Sequence, residues 1–399
     1  QVAREFKVKP QKVKEVCQKF ASTLFDVKTP EIALANQNMW VNARLPVYNP
    51  SQLVTRKGMR IIDEMRRDDQ VKAAMTFKKL AAIASGWEIM SPEGEDETHE
   101  PTRFIKGTFV GMRIPLGESV LEILTALDFG FSVSEMIFEE IEDGEFADKI
   151  GLRALKTRSP HSISFKVDEF GNLTERGIVQ TGNKGAIDLP TAKFVVFTHD
   201  AEFGNPYGRS DLESVYARWW VKENAYRWMA MLLERFGVPP IFALYDPATM
   251  DSAQVSALRQ IIERLQAATA GAIPRPSRDA LELWSPELAG NTGRVFIPAI
   301  DMLNRDIAKA LLMPNLLGLT AEQGPGSFAR ARVQFDVFLL AVNHVRQRLE
   351  GALNVQTVRP LVDLNYGKPD AGYPEFKFLP VSDDLQLELF KTWMGFVQT

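Results

Sequence analysis

Cysteine and histidine are scarce in this sequence: among 399 residues there are one cysteine, Cys17, and four histidines. A single cysteine excludes a disulfide framework within the chain and any metal site built from several cysteines. The histidines are scattered and form no HExxH pair. Because Walker A, dinucleotide-binding and nucleophile-elbow motifs are also missing, the sequence predicts neither a cofactor nor a resident metal ion.

Long apolar runs and an excess of basic residues are missing as well. No apolar run reaches the length needed to cross a bilayer, and no secretory signal pattern stands at the start, so we expect no membrane partner. The formal net charge is −4. A protein that holds nucleic acid through static phosphate contacts needs a basic surface, so this charge argues against that class. It is compatible with a protein past which nucleic acid slides.

What the sequence does contain is a long helical stretch within residues 203–240, around which the rest is organised. The turn motif Gly204-Asn205-Pro206-Tyr207-Gly208 precedes it, and Ser210 with Glu213 predicts a capping box at the helix start. Gly237 ends the predicted helix. Its aromatic residues could stack nucleic-acid bases, but we expect them to be buried between helices. These residues are Tyr216, Trp219, Trp220, Tyr226 and Trp228.

The residues before this helix predict an α+β region, and a chain of 399 residues exceeds the usual size of one core, so we expect two or more packed regions. Period-2 alternation and turn residues predict strands at 87–90, 130–139, 150–155, 163–167, 176–181 and 194–198. One helix is predicted to run through Ala82 and another to span 116–127.

After the long helix, the pattern predicts a small α/β subdomain that continues to residue 298. A second helix is predicted at 299–312. The segment 313–328 combines three glycines and two prolines, which predicts a loop of low local stability. A further long helix is predicted from residue 329 onward.

Several motifs, in their order and spacing, carry a resemblance to a known family. They are Asp63-Glu64-Met65, Asp68-Asp69-Gln70-Val71 and Gly86-Trp87-Glu88-Ile89, then Gly204-Asn205-Pro206-Tyr207-Gly208 and Phe236-Gly237-Val238-Pro239-Pro240, and finally Asp306-Ile307-Ala308-Lys309-Ala310 and Leu316-Leu317-Gly318. Over residues 50–380 the chain resembles bacteriophage portal proteins, close to the branch found in Mu-like phages.

The resemblance implies a ring, usually of twelve subunits, at one vertex of the capsid, through which DNA is packaged and ejected. The implied partners are further copies of the chain, the terminase large subunit, neck or head-completion proteins, capsid and scaffold proteins, and the double-stranded DNA in the channel. The implied location is the virion, after assembly in the host cytoplasm. No catalytic activity is implied.

The α+β portal fold implied by the resemblance has an α/β wing, a two-helix stem, an inserted α/β clip, a tunnel loop with a long kinked helix, and a helical crown. Residues 1–50 are then an N-terminal arm. The other parts are the wing (51–208), the first stem helix (209–236), the clip (237–298), the second stem helix (299–312), the tunnel loop and tunnel helix (313–355), the wing return (356–380) and the start of the crown (381–399).

Two sets of residues in this map are candidates for function. The candidates for lining the DNA channel lie in or just after the tunnel loop and are Leu319, Glu322, Gln323, Arg330 and Arg332. The candidates for docking the motor lie in the clip and are Arg275 and Arg278. Both sets have an alternative, because the loop could face away from the channel and the arginines could belong to solvated surfaces.

Two other functions compete with the portal interpretation. A metal-dependent enzyme acting on nucleic acid would use Asp200, Glu202 and Asp211 as metal-binding carboxylates, although a solvated turn is the simpler reading of His199-Asp200-Ala201-Glu202. A head-completion adaptor would bind the ring rather than form it. The leading interpretation is a structural conduit and docking ring.

Overall fold

The structure is a computed structural model that describes residues 51–96, 98–168, 170–183, 185–236, 241–265, 270–274, 281–284, 295–312, 327–370, 372–381 and 389. The expected arm (1–50), most of the expected tunnel loop (313–326) and nearly all of the expected crown start lie outside these residues. The chain divides into two compact units, described separately below. Unit 1 comprises Gln1–Ile62, Ala82–Asp211 and His344–Pro380, and unit 2 comprises Asp63–Ala81, Leu212–Asn343 and Val381–Thr399.

The described residues form helices and strands in alternating groups. The helices are α1 Gln52–Lys57, α2 Arg60–Met65, α3 Asp69–Ile83, α4 Glu100–Val110, α5 Leu116–Ile123, α6 Ala126–Phe129, α7 Tyr216–Phe236, α8 Ser252–Leu265, α9 Phe296–Ala310, α10 Ser327–Leu353 and α11 Arg359–Tyr366. The strands are β1 Trp87–Met90, β2 Phe131–Glu140, β3 Ile150–Arg158, β4 Ile163–Val167, β5 Leu173–Gly182, β6 Gly185–Leu189, β7 Phe194–Thr198, β8 Ile241–Tyr245, β9 Ala270–Pro274, β10 Leu281–Trp284 and β11 Glu375–Phe378. A π-helical turn, Asn354–Val358, joins α10 to α11.

Unit 1 is built on antiparallel sheets with the strand orders β3-β2-β7, β4-β5-β6 and β1-β11. An aromatic cluster lies in its core, where the ring centroid of Phe165 is 5.1 Å from that of Phe131 and 5.0 Å from that of Tyr207. The Tyr207 hydroxyl accepts a hydrogen bond of 3.1 Å from the Phe165 amide. Burial of each large apolar side chain contributes about 1.5–3 kcal/mol, so Tyr207 fastens the turn motif to this core.

Two glycines explain why the turn motif has its sequence. Gly208 has a φ of +55°, and a Cβ atom there would collide with the backbone oxygens of His199 and Gly130. Gly130 has a φ of +91°, and its Cβ would lie 2.5 Å from the Tyr207 carbonyl oxygen. The Asn205 side chain accepts a hydrogen bond of 2.8 Å from the Tyr207 amide. The two backbone segments therefore approach so closely that only glycine fits at both points.

The long helix begins later than the capping-box pattern predicts. Asp211–Glu213 forms a 3-10 turn, and α7 begins at Tyr216. The Ser210 hydroxyl donates a hydrogen bond to the carbonyl oxygen of Asp128. Ser210 thus ties the segment before the helix to the end of α6, in the same unit.

Several other elements can be compared with the sequence-based expectations. The strands expected at 87–90, 163–167 and 194–198 are β1, β4 and β7, with the same bounds. The single helix expected at 116–127 is instead two helices, α5 and α6. The Thr125 hydroxyl bonds the Glu122 carbonyl oxygen at 2.7 Å where the first of them ends, which is a common way for threonine to compete with helix hydrogen bonding.

Unit 2 combines helices with a small mixed sheet. Its strand order is β10-β8-β9, with β8 parallel to β9 and antiparallel to β10. A parallel pair needs a crossover connection, and α8 provides it, packing on both β8 and β9. Ala243, Leu244 and Ile262 are buried there. This is the α/β arrangement expected from the sequence in this part of the chain, whereas its assignment as a clip stays a prediction.

Candidate functional site

The helix α7 has one side buried within unit 2. Trp219, Lys222 and Ala225 on this side are almost fully shielded from solvent. The helix α9 packs against α7 and buries Ile300 and Leu303 along its own inner side. The two helices therefore support each other. Among the described residues, both also carry side chains that are exposed to solvent.

A buried cation lies in the first half of α7. The Lys222 side chain is 1% exposed, and its Nζ is 2.7 Å from Asp68 Oδ2 and 2.7 Å from Asp69 Oδ1. Asp68 is also buried, whereas the side chain of Asp69 is 82% exposed. The second Asp68 oxygen accepts a hydrogen bond of 3.0 Å from the Val71 amide. Asp68 therefore caps the N-terminus of α3 while it neutralises Lys222.

The charges in this cluster shift each other's titration. Burial alone would lower the pKa of Lys222, but its hydrogen bonds to Asp68 and Asp69 outweigh burial and raise that pKa above its usual value. The hydrogen bond from Lys222 lowers the pKa of Asp69. Both shifts favour the charged forms of Lys222 and Asp69, and the cluster holds α7 against the start of α3.

The opposite side of α7 carries an exposed apolar stripe, which we define as Trp220, Val221, Trp228 and Met231. Trp220 and Trp228 are each 52% exposed, Met231 is 45% exposed and Val221 is 41% exposed. At 3.6 residues per turn these four positions fall within an arc of about 100°. The expectation that the aromatic residues of this helix are buried between helices is therefore wrong for Trp220 and Trp228. It is also wrong for Tyr226, which is 40% exposed on another side of the helix.

Single exposed apolar residues are ordinary, but a contiguous stripe with two tryptophans is not. A fully buried tryptophan removes roughly 150–250 Å² from solvent, and about half of the surface of each of these two is still open for association to bury. Asn224 lies within the stripe, and its side-chain amide bonds back to the Trp220 carbonyl oxygen at 2.7 Å. The amide nitrogen of Asn224 therefore has a partner within its own helix, and the rest of the stripe is apolar.

The structure describes only part of the residues predicted for function. Leu319, Glu322 and Gln323, as well as Arg275 and Arg278, lie outside the described residues. Arg330 and Arg332 lie in the first turns of α10, and nothing is described of their side chains. Their roles remain predictions.

The three carboxylates of the alternative metal site serve separate purposes in unit 1. The imidazole Nε2 of His199 lies 2.9 Å from Asp211 Oδ1, and the Arg209 guanidinium donates to Glu202 at 2.8 Å. Asp200 occupies a left-handed backbone conformation with a φ of +45°. Over the described part of the chain, no group of three His, Cys, Asp or Glu side chains is placed to hold a metal ion.

Sequence reasoning missed Lys222, although a signal for it existed. Lys222 falls three residues after Trp219 and three before Ala225, in the middle of the buried side of the helix. A lysine in such a position requires a buried acid, and the paired Asp68-Asp69 supplies one.

Within the described helices, none is both long enough and apolar enough to cross a membrane.

The chain matches one family model and resembles several solved structures. The family model described as the portal protein of Mu bacteriophage matches residues 59–397. A chain of the solved structure titled "Neck of empty GTA particle computed with C6 symmetry" is 18% identical with a TM-score of 0.60, and the match covers 89% of this chain and 91% of that one. A chain of "Virion of native gene transfer agent (GTA) particle" is 16% identical with a TM-score of 0.60, covering 88% and 90%.

A third solved structure, "Neck of native GTA particle computed with C12 symmetry", contains a chain that is 15% identical with a TM-score of 0.57, covering 88% and 90%. At these identities the likeness to solved structures shows a shared fold. No curated protein sequence gives a significant match to the chain.

Proposed function

The chain belongs to the family of Mu bacteriophage portal proteins, and from this premise we propose that its copies close into a ring of twelve subunits that conducts DNA. A portal protein acts at a vertex of the capsid, and the family is structural rather than catalytic. The virion is therefore the proposed location, with assembly of the ring in the host cytoplasm.

The observation that carries the ring is the exposed apolar stripe on α7. The stripe lies on the side of α7 opposite the buried Trp219, Lys222 and Ala225, and its side chains are open to solvent within the subunit. In a cyclic ring each copy meets its two neighbours through two different surfaces, and every such interface is repeated around the ring. A stripe containing Trp220 and Trp228 suits one of these two surfaces, since aromatic residues are enriched at the centres of protein interfaces.

The proposed parts of the ring follow the order of the chain. The wing is proposed at 51–208 with its return at 356–380, the stem at 209–236 and 299–312, and the clip at 237–298. The tunnel loop and tunnel helix are proposed at 313–355, with the crown starting at 381. A net charge of −4 favours sliding of DNA through such a channel, because each lysine or arginine contact to phosphate adds affinity.

The proposed contacts of the ring are with DNA and with assembly partners. Leu319, Glu322, Gln323, Arg330 and Arg332 are proposed to meet the DNA in the channel. Arg275 and Arg278 are proposed to dock the terminase large subunit and later the neck or head-completion proteins. Capsid and scaffold proteins are the proposed partners of the outer surface.

The mass of the purified chain in solution tests the ring. Native mass spectrometry is expected to show a twelve-fold multiple of the 44.8 kDa chain, and electron microscopy should show closed rings. A stable monomer across a broad concentration range would overturn the ring and favour the head-completion adaptor. Metal-dependent DNA cleavage that disappears in Asp200→Ala would overturn the proposal that the chain catalyses no reaction.

A further inference from the structure

Six strands of unit 1 have an edge that no other strand covers in the sheet orders given above: β1, β3, β4, β6, β7 and β11. Such an edge presents a row of backbone N–H and C=O groups, which is a template for pairing with a strand of another chain. Among these edges, the sequence of β7 makes it the most prone to pairing with a strand of another chain. It reads Phe-Val-Val-Phe-Thr, without charge, proline or glycine, which is the composition that favours strand stacking between molecules.

The free edge of β7 is covered by side chains from the end of α10 and from the π-helical turn that follows it. His199 N donates to the Gly130 carbonyl oxygen at 2.7 Å, and with antiparallel alternation this turns the backbone groups of Val196 and Thr198 away from β2. The Gln356 side chain accepts from the Val196 amide at 2.8 Å and donates to the Val196 carbonyl oxygen at 3.0 Å. Arg348 donates to the Thr198 carbonyl oxygen at 3.3 Å.

The free edge of β11 is covered in the same way. Leu379 N donates to the Gly86 carbonyl oxygen at 3.1 Å, so Phe376 and Phe378 direct their backbone groups away from β1. The Asn354 side chain accepts from the Phe376 amide at 2.7 Å and donates to the Phe376 carbonyl oxygen at 3.0 Å. A carboxylate oxygen of Glu350 accepts from the Phe378 amide at 2.8 Å.

A third amide covers the start of β3. The Asn365 side chain accepts from the Ile150 amide at 2.7 Å and donates to the Ile150 carbonyl oxygen at 2.9 Å. Asn354, Gln356 and Asn365 therefore each satisfy both backbone groups of one edge residue, as the backbone of a neighbouring strand would. All three belong to the continuous helical segment 348–365, which we call the edge strap.

The π-helical turn at Asn354–Val358 helps one strap serve two sheets. Asn354 and Gln356 are two residues apart, and side chains at that spacing do not share a helix face. One reaches β11 and the other reaches β7. Apolar side chains would pack the helix on the sheets as well, but they could not satisfy the backbone groups of an edge strand.

We propose that the edge strap prevents β3, β7 and β11 of one copy from pairing with the strands of another, so that copies join through helical surfaces instead. The strand pairing that the edge strap prevents is with a second copy of this chain. Every copy carries the same self-complementary β7 edge, and copies are concentrated where a ring assembles. The inference rests on the proposed ring, within which it assigns a control on how subunits meet.

The test replaces the amide that covers β7 with an apolar group of similar length, Gln356→Met. Gln347→Met is the matched control, because Gln347 is exposed on the same helix. Hydrogen exchange at the Val196 amide should be about tenfold or more faster in Gln356→Met than in the control, from the loss of its acceptor. Under conditions where the circular dichroism is native, Gln356→Met should form thioflavin-positive, β-rich oligomers at the expense of rings.

A second control separates an open edge from general instability. Leu361→Ala removes a fully buried side chain on α11 without removing an amide pair. The two variants are compared at urea concentrations equally far below their own unfolding midpoints. Under these conditions Leu361→Ala should form rings and no β-rich oligomers. Equal β-rich assembly in both variants would overturn the proposal, and so would a wild-type yield of rings from Gln356→Met.

The remaining outcomes also support or overturn the proposal. If Gln356→Met does not fold, Asn365→Leu repeats the test at the β3 edge. If neither variant folds, the amides are needed for folding itself and the proposal is overturned. A wild-type chain that forms no ring overturns the proposed function, whereas the appearance of β-rich oligomers only in the amide variants would still support the strap.

Discussion

The Nζ atom of Lys222 lies 2.7 Å from Oδ2 of Asp68, and the two side chains are 1% and 3% exposed. Asp68 is also the residue that caps α3 through the Val71 amide. One ion pair thus links the first half of α7 to the start of another helix of unit 2. The pair fixes the orientation of α7 and, with it, the direction in which the apolar stripe points.

Removing the cation should strongly destabilise the protein. Lys222→Met leaves the Asp68 carboxylate buried without its partner, and the loss of one member of a buried pair costs about 3–5 kcal/mol. The free energy of unfolding in urea measures the effect. Lys72→Met, an exposed lysine on α3, is the control and should change stability by less than about 0.5 kcal/mol. An equal, small effect of both replacements would contradict the role given to Lys222.

The same cluster predicts how stability depends on pH. Hydrogen bonding to Lys222 holds the pKa of Asp69 below its usual 3.8. That contribution is present above pH 3.8 and disappears as the pH falls through the lower, folded-state pKa. Although burial opposes it, hydrogen bonding to both aspartates raises the pKa of Lys222 above its usual 10.5. That contribution is present below pH 10.5 and disappears as the pH rises through the higher, folded-state pKa.

We therefore expect a constant stability difference between the wild type and Lys222→Met across the neutral range, which shrinks toward both extremes. The acid limb should be shallow, because Asp69 is largely exposed and solvent screens its charge. Urea unfolding at a series of pH values measures the difference. A difference that keeps its neutral value at both extremes would show that the ion cluster does not supply it.

Two glycines of the turn motif offer a matched pair of substitutions. Gly208 and Gly204 both have positive φ, +55° and +71°, but a Cβ on Gly204 meets nothing within 4 Å whereas one on Gly208 meets backbone oxygens. Gly204→Ala should cost about 1–2 kcal/mol for the left-handed conformation alone. Gly208→Ala should cost more, since neither backbone segment can yield. Equal unfolding free energies in the two variants would show that the close approach to Gly130 and His199 is not required.

Local patterns predicted much of the fold. Alternation and turn residues gave the bounds of β4 and β7, and Gly208 was part of the predicted turn motif. Gly130 was instead predicted to begin a strand, whereas it lies just before β2 in a left-handed conformation. The helices α4 and α11 were missed, although each has a proline in its first turn, Pro101 and Pro360, which is a recognised start signal. The π-helical turn has no comparable signal, because it depends on Asn354 and Gln356 reaching strands distant in sequence.

The candidate site was harder to predict for a physical reason. An apolar stripe on a helix looks the same whether it is buried in its own chain or by another copy, so Trp220 and Trp228 read as core. Lys222 lies on the buried side and its partners are about 150 residues away in sequence, as the pairing with Asp69 shows. Only the tertiary structure shows that the side of α7 with Lys222 is buried and that the side with Trp220 and Trp228 is exposed.

The stripe itself gives the most direct prediction about assembly. Trp228→Asp places a charge at the centre of the proposed interface, where burial without a partner is strongly unfavourable. We expect rings to dissociate at concentrations at which the wild type is assembled, while the unfolding free energy of the subunit changes by less than about 0.5 kcal/mol, because Trp228 is half exposed within its own chain.

The matched control for this replacement lies on the same helix. Leu233 is 61% exposed and, at 100° per residue, lies on the opposite side of α7 from Trp220 and Met231. Leu233→Asp therefore adds the same charge to an equally open apolar position outside the stripe. Analytical ultracentrifugation of the two variants should show subunits for Trp228→Asp and rings for Leu233→Asp. If both variants assemble like the wild type, the stripe is not the surface through which copies meet, because an aspartate could not be buried there without measurable loss of affinity.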